Sequence, residues 1–522
     1  MARVEPDPHL AGLARGGLLN LAGAISAGVF GVVLVTVVAA IYSPGVAGSF
    51  FAAISVFLIL GAVCELGSDI GLVRWLARYL AQDRYGDIRA CLQLAVIPVV
   101  AVGCLAAGAV FLAAPWIAQL INGGTPPGQI TLMLRIMALF VPVAAVRNAL
   151  LSATRGYGAM RPTVVVEKLG RTSAQVAGVL VAAWLGCGTT GLALAWSVPY
   201  LLGLLGAAWW LRVVTRRARG NRPGLREPPE RQPGRTIAAE FWRYTGPRAL
   251  AHICQIALQR ADILLIAAVR SPQEAAIYTV ATRFIVLGQL GAQAVQQVMQ
   301  PAVSRLLTQE DRVVAARILR TATAWTVIAT LPLYAAVAAM APLYLTLVGD
   351  HYVLAGTTAV VILALAMMVA TASGPVDGML LMAGRSGLSL FNNAAALAVN
   401  LALNVVLIPA LGVTGAAVAW AAAITVRNLL PLAQVRAVLA MSPLSSGAIR
   451  AAAAAVLCFG LVPLALRFAA GMDGIFLGLA LIPCATAYGG LLWLVRDRVA
   501  LTALARVLQR REGTPNTTGG FA

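Results

Sequence analysis

Charge is scarce in this chain. Only 11% of its 522 residues are Asp, Glu, Lys or Arg, against roughly 25% in an ordinary soluble domain. At this length a soluble chain splits into several domains, each needing a polar surface. Too little charge is present to cover them. Acidic residues are the rarer sign, 19 against 39 basic ones, and lysine occurs once, at Lys168. Paired cysteines are missing too. The seven cysteines are dispersed, mostly inside apolar runs, as small core hydrophobes would be. His9, His252 and His351 are too scattered for a ligand set. There is no GxxxxGK[ST] phosphate loop, no GxSxG elbow and no HExxH pair. These absences argue against a soluble enzyme, a disulfide scaffold, a built-in ATPase and a metal centre. Neither a cofactor nor a metal is expected.

What is abundant is apolar sequence, at 60% hydrophobic residues and a mean hydropathy of +0.85. A spanning helix needs about 20 mostly apolar residues. Fourteen segments qualify, near 17–41, 46–68, 90–113, 130–152, 163–186, 189–212, 246–269, 277–300, 321–341, 355–376, 387–409, 414–438, 447–468 and 474–495. Residues 1–16 lack a signal-peptide pattern, so no cleavage is expected.

Basic residues set the expected orientation. Of the 39, 32 fall in the tails and alternate connections on one side or at the segment ends next to them; Arg270 and Arg467 alone fall on the other. Arg135, Arg147, Arg260, Arg283 and Arg427 lie deeper inside segments. The positive-inside rule then puts both termini in the cytoplasm. Arginines confined to short connections indicate topology rather than nucleic acid as partner. Residues 213–245 are rich in Arg, Pro and Gly and read as a flexible linker.

The chain also repeats itself. Ser43, Pro44, Ala47 and Ala53 recur as Ser271, Pro272, Ala275 and Ala281, an offset of 228. LSATR (151–155) matches LMAGR (381–385), and TGLALAW (190–196) matches TGAAVAW (414–420), at offsets of 230 and 224. Segments 1–6 therefore repeat as 7–12. The expected fold is an all-α polytopic membrane protein of about fourteen transmembrane helices, with two six-helix pseudo-symmetric lobes plus two extra C-terminal helices. The boundaries are a cytoplasmic tail 1–16, an N-lobe 17–212, the basic linker 213–245, a C-lobe 246–438, extra helices 439–495 and a cytoplasmic tail 496–522. Transporters built from such repeats place their substrate path between lobes, near the midplane.

Polar groups inside the segments are the candidate site. A charge at the bilayer centre costs about 2.5–3.5 kcal/mol even on insertion scales, so it faces protein or a wet cavity. At about 1.5 Å per residue, Asp262 and Arg283 fall at similar depths in adjacent segments. An ion pair between them is expected. Arg260, two residues from Asp262, points elsewhere and suits a cavity. Gln293 and Gln297 belong to a glutamine stripe on segment 8; Asn393, Asn400 and Asn404 form a stripe on segment 11. Such amides can glue helices or hydrogen-bond sugar hydroxyls along a wet path. Five mid-segment cations, Arg147, Arg260 and Arg427 among them, outnumber one deep acid, Asp262. Guanidinium groups bind phosphates bidentately, so an anionic substrate is expected.

Three stretches carry a family likeness. RADILLIAAVRSPQEAAIYTVATRF contains Asp262, Tyr278, Ala281 and Arg283; NLALNVVLIPALGVTGAAVAW contains Asn400, Asn404, Ile408, Pro409, Gly412, Gly415, Ala416 and Ala417; the third is GSFFAAISVFLILGAVCELGSDIGLVRWLA. Over residues 15–440 the chain resembles the multidrug/oligosaccharidyl-lipid/polysaccharide (MOP) superfamily, and within it the O-antigen (Wzx-like) polysaccharide flippases. The two extra helices are similar to those of lipid II flippases in the same superfamily, which implies that they hold the lipid tail. The resemblance implies a non-enzymatic flippase of the bacterial plasma (inner) membrane. It would move a polyprenyl-diphosphate-linked oligosaccharide to the outer leaflet by alternating access. Its partners would be the anionic lipid-linked glycan, membrane lipids, and a glycan polymerase or glycosyltransferases. An ion-coupled multidrug exporter is the alternative on the same fold, and a non-transport component of envelope glycan synthesis is a further one.

Overall fold

The computed structural model describes residues 8–82, 84–121, 126–220, 234–309, 311–346, 348–469, 475–494 and 496. Among them there are helices and no strand. The parts of the predicted tails at 1–7 and 497–522, and of the predicted linker at 221–233, lie outside the described residues.

The first half contains α1 (Pro8–Ile41), α2 (Pro44–Glu65), α3 (Ser68–Ala81), α4 (Tyr85–Leu120), α5 (Pro127–Leu139) and α6 (Val141–Gly156). A π-helical segment, Thr163–Arg171, then runs directly into α7 (Thr172–Trp184), followed by α8 (Gly188–Gly220). The second half opens with α9 (Gly234–Val269), α10 (Pro272–Ala281), α11 (Arg283–Thr308), α12 (Arg312–Ala339) and α13 (Ala341–Thr346). It continues with α14 (Val353–Ser373), α15 (Val376–Met382) and α16 (Ser386–Leu439). The last helices are α17 (Ser446–Ala455), α18 (Val462–Ala469), α19 (Ile475–Leu479) and α20 (Leu481–Leu494), with a π-helical stretch Val456–Leu461 inside the α17–α18 run.

Twelve of the described helices are long and apolar enough to cross a membrane. One of these, α16, has 54 residues, about 80 Å at 1.5 Å per residue and far beyond a hydrocarbon core of about 30 Å. It breaks at Gly412, where φ 54° and ψ −128° are non-helical, so it makes two crossings. The π-helical segment runs without a break into the apolar α7. With these the described residues come near the fourteen crossings that the hydropathy pattern predicts. Leu354, Trp184 and Leu494, all at least 80% exposed, present apolar surface outward, which only a lipid solvent makes cheap. This is a multi-pass membrane protein.

The helix starts follow local chemistry. Both Ser43 and Ser271 stand as N-caps directly before a proline at the first helical position, where the missing N–H costs nothing. Ser271 Oγ accepts from the Glu274 backbone N–H at 3.2 Å. At the far end of α2, Leu66 and Gly67 are left-handed and turn the chain into α3. Helix α8 runs to Gly220 and α9 starts at Gly234, so the described ends of the predicted linker are helical, as suits arginine, a good helix former.

The described residues form two compact units. One runs through Leu290 and adds Tyr344–Leu363 and Ser386–Arg427; the other holds Gly291–Leu343, Ala364–Arg385 and the chain from Asn428 onward. In the first unit, Leu72, Trp75, Leu76 and Tyr79 of α3 pack with Ile88, Cys91, Ala149 and Phe241. In the second, α17 and α20 bury Ala451, Ala455, Cys484 and Tyr488 against Val327 and Leu331 of α12.

Candidate functional site

A cavity of about 410 Å³ opens within the first unit. Five helices and the π-helical segment line it. Helix α2 gives Phe57, Leu58, Gly61, Ala62 and Glu65, and α3 gives Asp69. Helix α6 gives Ala144, Arg147, Asn148, Leu151 and Arg155, spaced along one face. The π-helical segment contributes Thr163, Glu167 and Arg171 at i, i+4 and i+8. Tyr200 comes from α8, and α9 adds His252, Ile256, Gln259 and Arg260. On α2 and α6 the lining runs to the C-terminal ends, which lead into α3 with its Arg74 and Arg78 and into the connection that holds Arg161.

Four guanidiniums thus meet three carboxylates. Glu167 takes two of them. Its Oε2 lies 2.8 Å from Arg147 Nη1 and its Oε1 2.8 Å from Arg171 Nη2. Arg171 Nε also donates to Glu167 Oε1 at 2.9 Å, and Arg171 Nη1 donates to Gln175 Oε1 at 2.7 Å. The Tyr200 ring lies beneath both cations, 4.6 Å from Arg147 and 5.1 Å from Arg171, a stacking that favours them. Arg147 is 2% exposed. Its stem fits because α8 has glycine opposite: a Cβ on Gly203 would stand 2.9 Å from Arg147 Cδ.

The network is not saturated. Arg147 Nη2 donates to Asn148 Oδ1 at 2.7 Å, and Asn148 Nδ2 donates onward to Glu65 Oε1. Yet Arg147 Nε and Nη1 lack a hydrogen-bond partner, since the contact to Glu167 Oε2 is close but poorly aligned. Arg155 Nη2 donates to Ser152 Oγ at 2.6 Å and leaves its buried Nε unmet. Arg260 makes no hydrogen bond or ion pair with a described residue. Buried donors left unmet cost about 1–3 kcal/mol each.

The structure gathers some of the sequence candidates here and disperses others. Arg147 and Arg260 line the cavity. Asp262, Arg283, Arg427, Gln293, Asn393, Asn400 and Asn404 are not among its lining residues. The expected Asp262–Arg283 ion pair does not form. Asp262 instead accepts from Tyr278 Oη at 2.5 Å and Asn404 Nδ2 at 2.6 Å, and Asn400 is fully buried beside it. Arg283 Nε donates to the Thr279 carbonyl at 2.9 Å and Nη2 to Thr282 Oγ1 at 3.2 Å. Matching depth was the sequence argument; direction decides otherwise, because the long Arg283 side chain folds back along α10. Asn393 Nδ2 donates to the Ser389 carbonyl, Gln293 is exposed and Arg427 is half-buried with contacts of its own. The side chain of Gln297 lies outside the described residues.

Three acids that were not among the sequence candidates, Glu65, Asp69 and Glu167, share the cavity with the arginines. Glu167, Arg171 and Arg155 were missed as site residues. The sequence treats Arg155, Lys168 and Arg171 as connection charges, whereas Arg171 sits in continuous helix beside the cavity. The four-residue spacing of Glu167 and Arg171, opposite charges on one helix face, was the available signal.

The profile of a family described as polysaccharide biosynthesis protein matches residues 50–355, more than half of the chain. The chain belongs to that family. The chain also shares its fold with MOP superfamily transporters. A lipid II flippase, MurJ, in an inward closed conformation aligns at a TM-score of 0.70 and 12% identity, over 92% of this chain and 99% of that one. An inward-facing multidrug resistance MATE family transporter aligns at 0.61 and 16% identity, over 81% and 94%. A MOP superfamily transporter from Pyrococcus furiosus, whose binding pocket is described as of reverse polarity, aligns at 0.56 and 15%, over 82% and 95%. No curated protein matches the sequence.

Proposed function

We propose that this protein is a flippase for a polyprenyl-diphosphate-linked oligosaccharide, with Arg147, Arg155, Arg171 and Arg260 receiving the diphosphate. One observation carries the reading: arginine donors left unmet inside a membrane-embedded cavity in which cations exceed carboxylates. A water-filled site of that sign favours phosphate, which guanidinium binds in a fork. It disfavours the cationic compounds that a multidrug exporter would carry.

Family membership in polysaccharide biosynthesis supports a lipid-linked glycan as the cargo. The apolar outward faces would leave the polyprenyl chain in lipid. The 32 basic residues on one side support cytoplasmic termini in a bacterial inner membrane, so that the cavity opens toward the leaflet where such lipids are assembled. Glycosyltransferases or a polymerase would then be functional neighbours. Access alternates between the two halves of the repeat, with segments 1–6 as one lobe and 7–12 as the other.

The test is flipping in proteoliposomes of a fluorescent lipid-diphosphate oligosaccharide, read by protection from an impermeant quencher. Arg260→Ala with Arg155→Ala is expected to lower the rate by about tenfold or more, the scale of one lost charge-assisted contact. Wild-type rates at normal protein levels would remove the cavity arginines from the mechanism.

A further inference from the structure

Phosphate headgroups surround any membrane protein. A pocket of four guanidiniums would be filled by abundant phospholipid unless something kept it out. The structure shows what stands in the way. Glu167 lies between Arg147 and Arg171, one carboxylate oxygen 2.8 Å from each guanidinium. It therefore occupies the place where a phosphate oxygen pair would bridge the same two arginines. Its hold is uneven. Toward Arg171 it accepts two contacts, at 2.8 and 2.9 Å. Toward Arg147 it is close but misaligned, and Glu167 Oε2, Arg147 Nη1 and Arg147 Nε are all buried without a hydrogen-bond partner. The carboxylate sits on a π-helical segment, Thr163–Arg171, a geometry frequent at functional sites.

We propose that Glu167 is a resident counter-anion whose displacement is required for any headgroup to enter, and that this requirement excludes singly charged phosphodiesters while a pyrophosphate still binds. The proposal rests on the reading of the cavity as a pyrophosphate site. A phosphodiester carries one negative charge, the same as Glu167, and lacks the advantage of being tethered at high effective concentration. It gains little by exchange. A pyrophosphate diester carries two charges and enough oxygens to reach Arg155 and Arg260 as well, the two guanidiniums that Glu167 does not touch. Both ligands meet the same penalty. It takes the weaker one below occupancy at its membrane abundance and leaves the stronger one above it.

The experiment uses the full chain in a non-ionic detergent, titrated at constant ionic strength with dimethyl phosphate and with a symmetrical dimethyl pyrophosphate. Wild type is expected to bind the pyrophosphate and to bind dimethyl phosphate at least about tenfold more weakly. In Glu167→Gln both affinities rise by about tenfold, the scale of one released charge-assisted contact. Phosphatidylglycerol carried through purification, read by native mass spectrometry, rises with them. Glu167→Asp keeps the charge but is one methylene too short to span both arginines, and gains severalfold; it serves if the Gln variant does not fold. Dimethyl phosphate binding that is unchanged or weaker in the folded variant overturns the role of Glu167 alone when wild type binds pyrophosphate. Wild type binding neither probe overturns the pyrophosphate reading and the filter with it.

Discussion

Gly48 of α2 packs directly on the backbone of Pro272 at the start of α10, so closely that a methyl at Gly48 would overlap the Pro272 carbonyl. Pro272 is the repeat counterpart of Pro44, four residues before Gly48. The two internally related helices thus meet where one of them has no side chain.

Gly48→Ala is therefore expected to destabilise by about 1–3 kcal/mol through overpacking, because backbone cannot swing aside as a side chain can. Gly108, with nothing within 4 Å of an added Cβ, is the comparison: Gly108→Ala should change stability by less than about 1 kcal/mol and favour the helix. Thermal unfolding of the detergent-solubilised protein measures both. Equal midpoints would contradict the packing.

The break at Gly412 is a second backbone demand. Its φ of 54° with ψ of −128° suits glycine, and an added Cβ would overlap Glu274. Arg270, which pairs with Glu274 at 3.2 Å and donates to the Pro409 carbonyl at 3.3 Å, braces the turn. Gly412→Ala should cost about 1–3 kcal/mol. Adding Glu274→Ala relieves the overlap and leaves the backbone strain, so the double variant is expected to recover only part of the unfolding midpoint. Full recovery would show that the strain is absent.

Asp262 holds Tyr278 and Asn404 together across α9, α10 and α16. Asp262→Ala orphans two buried donors, at about 1–3 kcal/mol each. Asp262→Asn keeps an acceptor and should fall between the variant and wild type. Anion binding in the cavity is expected to survive both changes, because Asp262 is not among its lining residues. Loss of dimethyl pyrophosphate binding in folded Asp262→Asn would show that the two sites are coupled.

Tyr200 tests the stacking beneath Arg147 and Arg171. Tyr200→Phe keeps the ring and should bind dimethyl pyrophosphate within about twofold of wild type. Tyr200→Leu loses a cation–π contribution of about 0.5–2 kcal/mol and should weaken binding by several-fold. Identical affinities for Phe and Leu would mean that the ring only fills space.

The proposed orientation can be read from a native thiol. Cys187 is exposed in the turn after α7, which the proposed topology puts on the side opposite the basic connections. An impermeant maleimide should label it from outside intact cells, in a Cys104→Ala background that removes the other exposed cysteine. Labelling that requires opened cells would invert the topology.

Sequence alone determined the class of this protein and the pattern of its crossings. Each follows from short-range facts: runs of about 20 apolar residues, prolines after serines, and the side on which arginines collect. Gly412 and its neighbours could even be read as part of a family-like run. The tertiary structure decided which charges meet. Arg147 and Arg260, far apart in the chain, line one cavity with Glu65 and Glu167; Asp262 turns to Tyr278 and Asn404 rather than to Arg283. Depth along a helix is fixed by counting residues. The direction of a long side chain and the identity of its partner depend on helix rotation and packing, which depend in turn on small residues such as Gly203 on the facing helix. That information is spread over several segments and appears only when they are assembled.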